Sequence, residues 1–117
     1  MKTLAWHGDK KLKEKFVSRL KEHRRLKHLM QGVGWKSNGE TKGCNIGCLF
    51  ENYDHASGER ESGIPQTVLR LADCIFEGLP EAEADVFAVD WPTAIPPGAD
   101  LSLVGVSFLL EINRLNL

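Results

Sequence analysis

A chain of 117 residues, 42% of them apolar and 26% charged, has enough to build one hydrophobic core and not two. No apolar run approaches the roughly 20 residues that cross a bilayer, and Trp6, His7 and Asp9 interrupt the first residues where a secretion leader needs an unbroken apolar stretch. The expected compartment is therefore the cytoplasm, where three cysteines stay reduced and a disulfide framework is excluded. The net charge of −1 conceals a split, with twelve Lys or Arg against four Asp or Glu in residues 1–42 and three against twelve in residues 43–117. Such polarity suits a basic helix docked on an acidic body, attraction between copies, or contact with nucleic acid.

From Asp9, a plain cap, the spacing of Leu12, Phe16, Leu20, His23, Leu26 or Lys27, and Met30 predicts a long amphipathic helix. Its other face carries Lys10, Lys13, Lys21, Arg24 and Arg25, and Gln31-Gly32-Val33-Gly34 should end it. Trp35 to Lys42 is polar and turn-rich. A second helix, holding Gly43-Cys44-Asn45-Ile46-Gly47-Cys48-Leu49-Phe50, is expected to run to about Tyr53, followed by a charged loop from Asp54 to Gly63. Gly63-Ile64-Pro65 opens a third helix whose inward stripe is Val68, Leu71, Ala72, Ile75 and Leu79, with Gly78 and Pro80 closing it. A short fourth helix spans Glu81 to about Val89, and Trp91-Pro92 with Pro96-Pro97-Gly98 marks a rigid connection. Asp100 should cap the last element, Leu101 to Ile112, which is apolar nearly all round and so reads as a central buried helix. The same run partly alternates, which keeps a buried strand open; helix is preferred because no partner strand stands elsewhere. The fold class expected is all-α, a single domain over 1–117 of about five helices, with the Gly/Cys and C-terminal helices at its centre.

The Gly/Cys segment repeats both residue types at four-residue spacing, which places each pair on one side of a helix. Ile46, Phe50 and Tyr53 then share a face with Gly43 and Gly47, and Asn45 and Asn52 lie opposite. Glycine inside a helix costs roughly 1 kcal/mol against alanine, so another backbone or an aromatic ring is expected in the notch at Gly47. Reduced cysteines beside it are most simply packing residues. The sharper alternative makes Cys44 a nucleophile favoured by the positive end of the helix, with His55 as base and Asp54 or a residue from elsewhere in the chain to orient it. A zinc site from Cys44, Cys48 and His55, completed by His7, His23 or His28, lacks a recognised ligand spacing. Neither a metal nor a cofactor is expected.

Lys21, Arg24 and Arg25 are candidate binding residues for a partner or, less favoured, for nucleic acid, because no helix-turn-helix, glycine-rich phosphate loop or stacking platform accompanies them. Asp73 and Glu77 lie one turn apart near the end of the third helix, where negative charge opposes the dipole. A cation should neutralise them, from the first helix or from a partner protein or ligand; Arg70, three residues before Asp73, is the nearest local candidate but lies N-terminal to both acids. Trp6, Trp35 and Trp91 sit near element ends, where both core lids and binding anchors occur.

The ordered set Trp6-His7-Gly8-Asp9 with Lys13-Glu14-Lys15, Gly43-Cys44-Asn45-Ile46-Gly47-Cys48, Tyr53-Asp54-His55, Gly63-Ile64-Pro65, Phe76-Glu77-Gly78-Leu79-Pro80 and Pro97-Gly98-Ala99-Asp100-Leu101-Ser102 resembles a group of small uncharacterised bacterial and phage-associated proteins. The resemblance implies a shared fold and no activity; Asn45 departs from the small residue expected after Cys44. The function expected is that of a small non-enzymatic binding or regulatory protein with a protein partner or a homo-oligomer and no membrane. The alternative is a cysteine-dependent hydrolase or transferase using Cys44 and His55.

Overall fold

Asp9 caps the first helix as expected: its Oδ1 accepts from the Lys11 backbone N–H at 2.8 Å, an arrangement worth about 1 kcal/mol. In the computed structural model, which describes residues 3–115, helix α1 (Lys10–Arg25) turns Phe16, Val17 and Leu20 inward. It ends at Arg25, nearly two turns before the glycines, because Lys27 adopts a left-handed conformation, φ 62°, and the His28 N–H bonds back to the His23 carbonyl at 2.9 Å. Two short strands follow, β1 (Trp35–Lys36) and β2 (Lys42–Gly43), paired antiparallel with Trp35 opposite Gly43. The polar stretch read as turns is this small hairpin.

Five more helices complete the described chain: α2 (Asn45–Phe50), α3 (His55–Ser62), α4 (Gln66–Gly78), α5 (Glu81–Ala94) and α6 (Val104–Arg114). The architecture is all-α apart from the hairpin. Every residue of α2 is buried, and α1, α3 and α4 pack around it. Phe16 stands edge-on to Phe50 at 5.4 Å and tilts against Trp6 at 6.1 Å. Trp6 itself is fully buried, in a left-handed turn (φ 57°) closed by its indole N–H on the Ile95 carbonyl at 3.0 Å. That bond, with Ala5 N–H on the Ala99 carbonyl at 2.9 Å, ties the N-terminal segment to the connection after α5.

Several expectations are corrected by local chemistry. Gly43 belongs to β2 and Cys44 caps α2 instead of lying inside it; the helix ends at Glu51, in the left-handed region, so Tyr53 lies beyond it, exposed. Asn45, expected to face out, is buried: its amide donates to the Ala72 carbonyl at 3.2 Å and its Oδ1 accepts from Ile46 N–H at 3.0 Å. The segment read as a charged loop is α3, started by Asp54, whose Oδ1 accepts from Ser57 N–H at 3.1 Å. Pro92 lies inside α5, buried, one turn from its end. There the Thr93 hydroxyl donates to the Val89 carbonyl at 2.7 Å.

The largest correction concerns α6. It is a helix, but none of its residues is buried. It lies on α4, with Val104 half-buried against the core and Gly105 beside Thr67. None of the described helices is long and apolar enough to cross a membrane.

Candidate functional site

Four residues singled out in the sequence meet at one place. Asp73 and Glu77 project from α4 one turn apart, Cys44 stands at the start of α2, and His55 opens α3. The Cys44 thiol and one carboxylate oxygen each from Asp73 and Glu77 lie within 4.8 Å of one another. His55 Nε2 donates to Asp73 Oδ2 at 3.1 Å, and the Tyr53 hydroxyl donates to the same oxygen at 2.6 Å. Glu77 Oε2 accepts from Gly32 N–H at 2.8 Å. The three groups open onto a cleft of about 650 Å³ also lined by Gly32, Val33, Gly34, Tyr53 and Cys74.

Cys44 is the base of this cleft. Its backbone N–H donates to the carbonyls of Val33 and Gly34 at 2.7 and 3.1 Å, and its sulfur accepts from Gly47 N–H at 3.5 Å. Burial pushes the thiol up to about 11. The N–H groups of Gly47 and Ile46 pull it down, in the direction expected of a helix start, while the charges on Asp73 and Glu77 push it up. Desolvation therefore wins over hydrogen bonding, and the thiol holds its proton. No hydrogen bond joins Cys44 to His55 among the described residues, and His55 is itself buried with Nε2 committed to Asp73. The pair shares a neighbourhood without the direct nucleophile-to-base contact that covalent catalysis uses. Of the two expected sources of an orienting acid, Asp54 is the cap of α3, and the residue from elsewhere is Asp73, on His55 Nε2.

Asp73 and Glu77 do not receive the cation that their position calls for. Neither pairs with a Lys or Arg among the described residues; a histidine, a phenol and a backbone N–H serve them instead. The hydrogen bond to Asp73 chiefly, with burial, pushes the Tyr53 hydroxyl up to about 12, so it stays a donor.

The candidate binding cations lie elsewhere, over a cleft of about 690 Å³ between α1, the hairpin and α5. Arg24 Nε donates to Asp85 Oδ2 of α5 at 2.9 Å, and Arg25 forks onto Glu22 at 2.6 and 3.0 Å. Two of the three cations therefore satisfy acids of their own chain. Lys21 has no ion pair among the described residues, and it lines this cleft with Lys27 and Lys42. The intramolecular docking of a basic helix on an acidic body is thus present at two arginines of α1, Arg24 on Asp85 at 2.9 Å and Arg19 on Glu51 at 3.5 Å.

One polar cluster escaped the sequence reading. His23 and His28 face each other, Nδ1 to Nδ1, at 2.8 Å, and His23 Nε2 lies 2.9 Å from Glu51 Oε2. A carboxylate only accepts, so His23 Nε2 carries a proton; with His23 neutral, its Nδ1 accepts from His28 Nδ1–H. His23 also stands edge-on to Trp35 at 5.4 Å, joining α1, the hairpin and the end of α2. Its helical spacing in α1 was the available signal, and it marked a partly buried residue, not a partner.

Comparison with protein-family models, with curated proteins and with solved structures gives no match to this chain.

Proposed function

We propose that this protein is a small cytoplasmic, non-enzymatic binding module that assembles through α6, and that the occupant of α6 is a second copy of the chain. The observation carrying this reading is the outer face of that helix. Leu103 at its start is 68% exposed, and Val106, Leu109 and Leu110 are 55%, 66% and 63% exposed. Scattered apolar residues on a surface need no explanation, but a contiguous stripe does. Leu103, Val106 and Leu110 follow the 3-4 spacing of a coiled-coil seam, continued by Asn113.

Charge supports a copy over a foreign partner. The two charges of α6, Glu111 and Arg114, fork onto each other and leave the helix neutral. It presents no charge for an oppositely charged partner to seek, whereas a two-fold pairing brings an identical apolar stripe to each side. The opposite charges of the two parts of the chain add long-range attraction between copies. The motif resemblance to phage-associated proteins sets a mobile-element origin beside this reading.

Sedimentation equilibrium on the full chain tests it. A dimer is expected at micromolar concentration. Leu109→Asp combined with Leu110→Asp should make the protein monomeric, raising the dissociation constant at least about 1,000-fold, since each buried leucine contributes roughly 1.5–3 kcal/mol. Helicity should be unchanged, because neither side chain is buried in the monomer. A wild-type chain that stays monomeric at about 100 μM, a concentration at which even weak interfaces form, sinks the proposal.

A further inference from the structure

The Cys44 cleft has an imbalance that the binding role of α6 does not use. Two carboxylates and a thiol converge within 4.8 Å, near the C-terminal end of α4 where the dipole adds negative potential, and no Lys or Arg pairs with either acid among the described residues. Each carboxylate is held by one oxygen alone: Asp73 by Oδ2, from Tyr53 and His55, and Glu77 by Oε2, from Gly32 N–H. The second oxygen of each has no hydrogen bond among the described residues. Side chains fixed from behind with a free donor atom in front are arranged as metal ligands are, the outer hydrogen bonds orienting the inner shell.

We propose that Cys44, Asp73 and Glu77 bind one divalent cation of the zinc class, with the fourth position open to the cleft. Thiolate and carboxylate donors together suit a borderline-soft ion, where an all-oxygen set suits magnesium or calcium. Zinc bonds of about 2.0–2.3 Å need donor atoms roughly 3.3–3.8 Å apart, so the cluster contracts by about an ångström on binding, a movement within reach of the exposed Glu77 side chain. The Cys44 sulfur keeps its Gly47 N–H bond, gives its proton to solvent and becomes the thiolate ligand. Asp73 stays oriented by Tyr53 and His55. These residues differ from the cysteine and histidine set weighed from the sequence: Cys48 instead donates to the Gly43 carbonyl at 3.4 Å.

Titration of the reduced full chain with Co²⁺, followed by its thiolate charge-transfer absorption, tests the assignment, with Zn²⁺ competition as the second readout. One equivalent should give the band, and Zn²⁺ should remove it. Cys44→Ser should abolish it, Asp73→Asn and Glu77→Gln should weaken binding at least tenfold, and Cys74→Ser should leave it unchanged. Because one thiol proton leaves, affinity should rise about tenfold per pH unit through the neutral range. No saturable band, a band that survives Cys44→Ser, or one lost in Cys74→Ser overturns the site. Should Cys44→Ser fail to fold, Glu77→Gln decides, since its side chain is exposed: unchanged Co²⁺ affinity in that variant also overturns it.

Discussion

Gly47→Ala is expected to destabilise the protein by about 3 kcal/mol, lowering the melting temperature by roughly 10 °C, although alanine is the better helix former by about 1 kcal/mol. A Cβ at position 47 would lie 1.8 Å from the Gly34 carbonyl oxygen and 3.2 Å from Trp35 Cβ. The obstacle is backbone, and it is pinned. Cys44 N–H holds the carbonyls of Val33 and Gly34, and Trp35 is in register with Gly43 across the hairpin. Relief requires moving β1 away from α2, which uncovers buried residues. Gly78→Ala, in the last turn of α4 with nothing within 4 Å of the new Cβ, is the control and should gain about 0.5 kcal/mol. Urea and thermal unfolding of the two variants should therefore change in opposite directions. Equal stability of Gly47→Ala and wild type would mean that the Gly34 backbone does not occupy the notch.

That notch was the most legible feature of the sequence. A glycine that costs stability within a helix implies something packed against it, and the Gly34-Trp35 backbone is that object. Asp9 was legible for a local reason, a carboxylate reaching a free N–H, whereas Asp100, expected to cap the last helix in the same way, accepts from Ser102 N–H at 3.0 Å in the turn before it, and α6 starts at Val104 with Leu103 in the cap position. Charge hid α3. His55–Ser62 has four ionisable residues in eight, which reads as loop, but its cap at Asp54 and its packing on α4 overrule composition. In α6 periodicity misled in the other direction. Apolar residues all round imply burial on all sides, and within one chain the core is already filled by α2, which is why the second side of α6 is free for another molecule. The site was legible as residues and not as a set. Asp73 and Glu77 stood out as acids without a cation, and Cys44 and His55 as a candidate pair. Only the packing of α2, α3 and α4 brings Cys44, Asp73 and Glu77 to one cleft with His55 behind Asp73, and no local spacing encodes that.

Alkylation of the native protein at pH 8 should label Cys74 alone. Cys74 is exposed, whereas Cys44 is 1% exposed and Cys48 fully buried. Burial first, then the neighbouring acids, holds the Cys44 thiol at about 11; burial, then Cys44 and Glu51, holds Cys48 at about 12. At pH 8 roughly one Cys44 in a thousand is ionised, against about a quarter for a free thiol near 8.5, so ionisation alone slows its reaction more than 100-fold before access is counted. The sign for stability follows from the same two shifts. An unfolded thiol ionises at its ordinary value and the folded one does not, so both contributions are complete below about pH 8.5. They decline as the pH rises through 9 toward 11 for Cys44 and 12 for Cys48. Across that window each thiol removes roughly 1.4 kcal/mol per pH unit. Peptide mass mapping after timed labelling, and urea melts at pH 8 and 10, measure the two effects. Fast labelling of Cys44 in the folded chain, with an apparent value near neutrality, would reverse the balance between burial and hydrogen bonding at the start of α2. Cys44 would then be a nucleophile beside His55, and the cleft, not α6, would become the centre of the protein's chemistry.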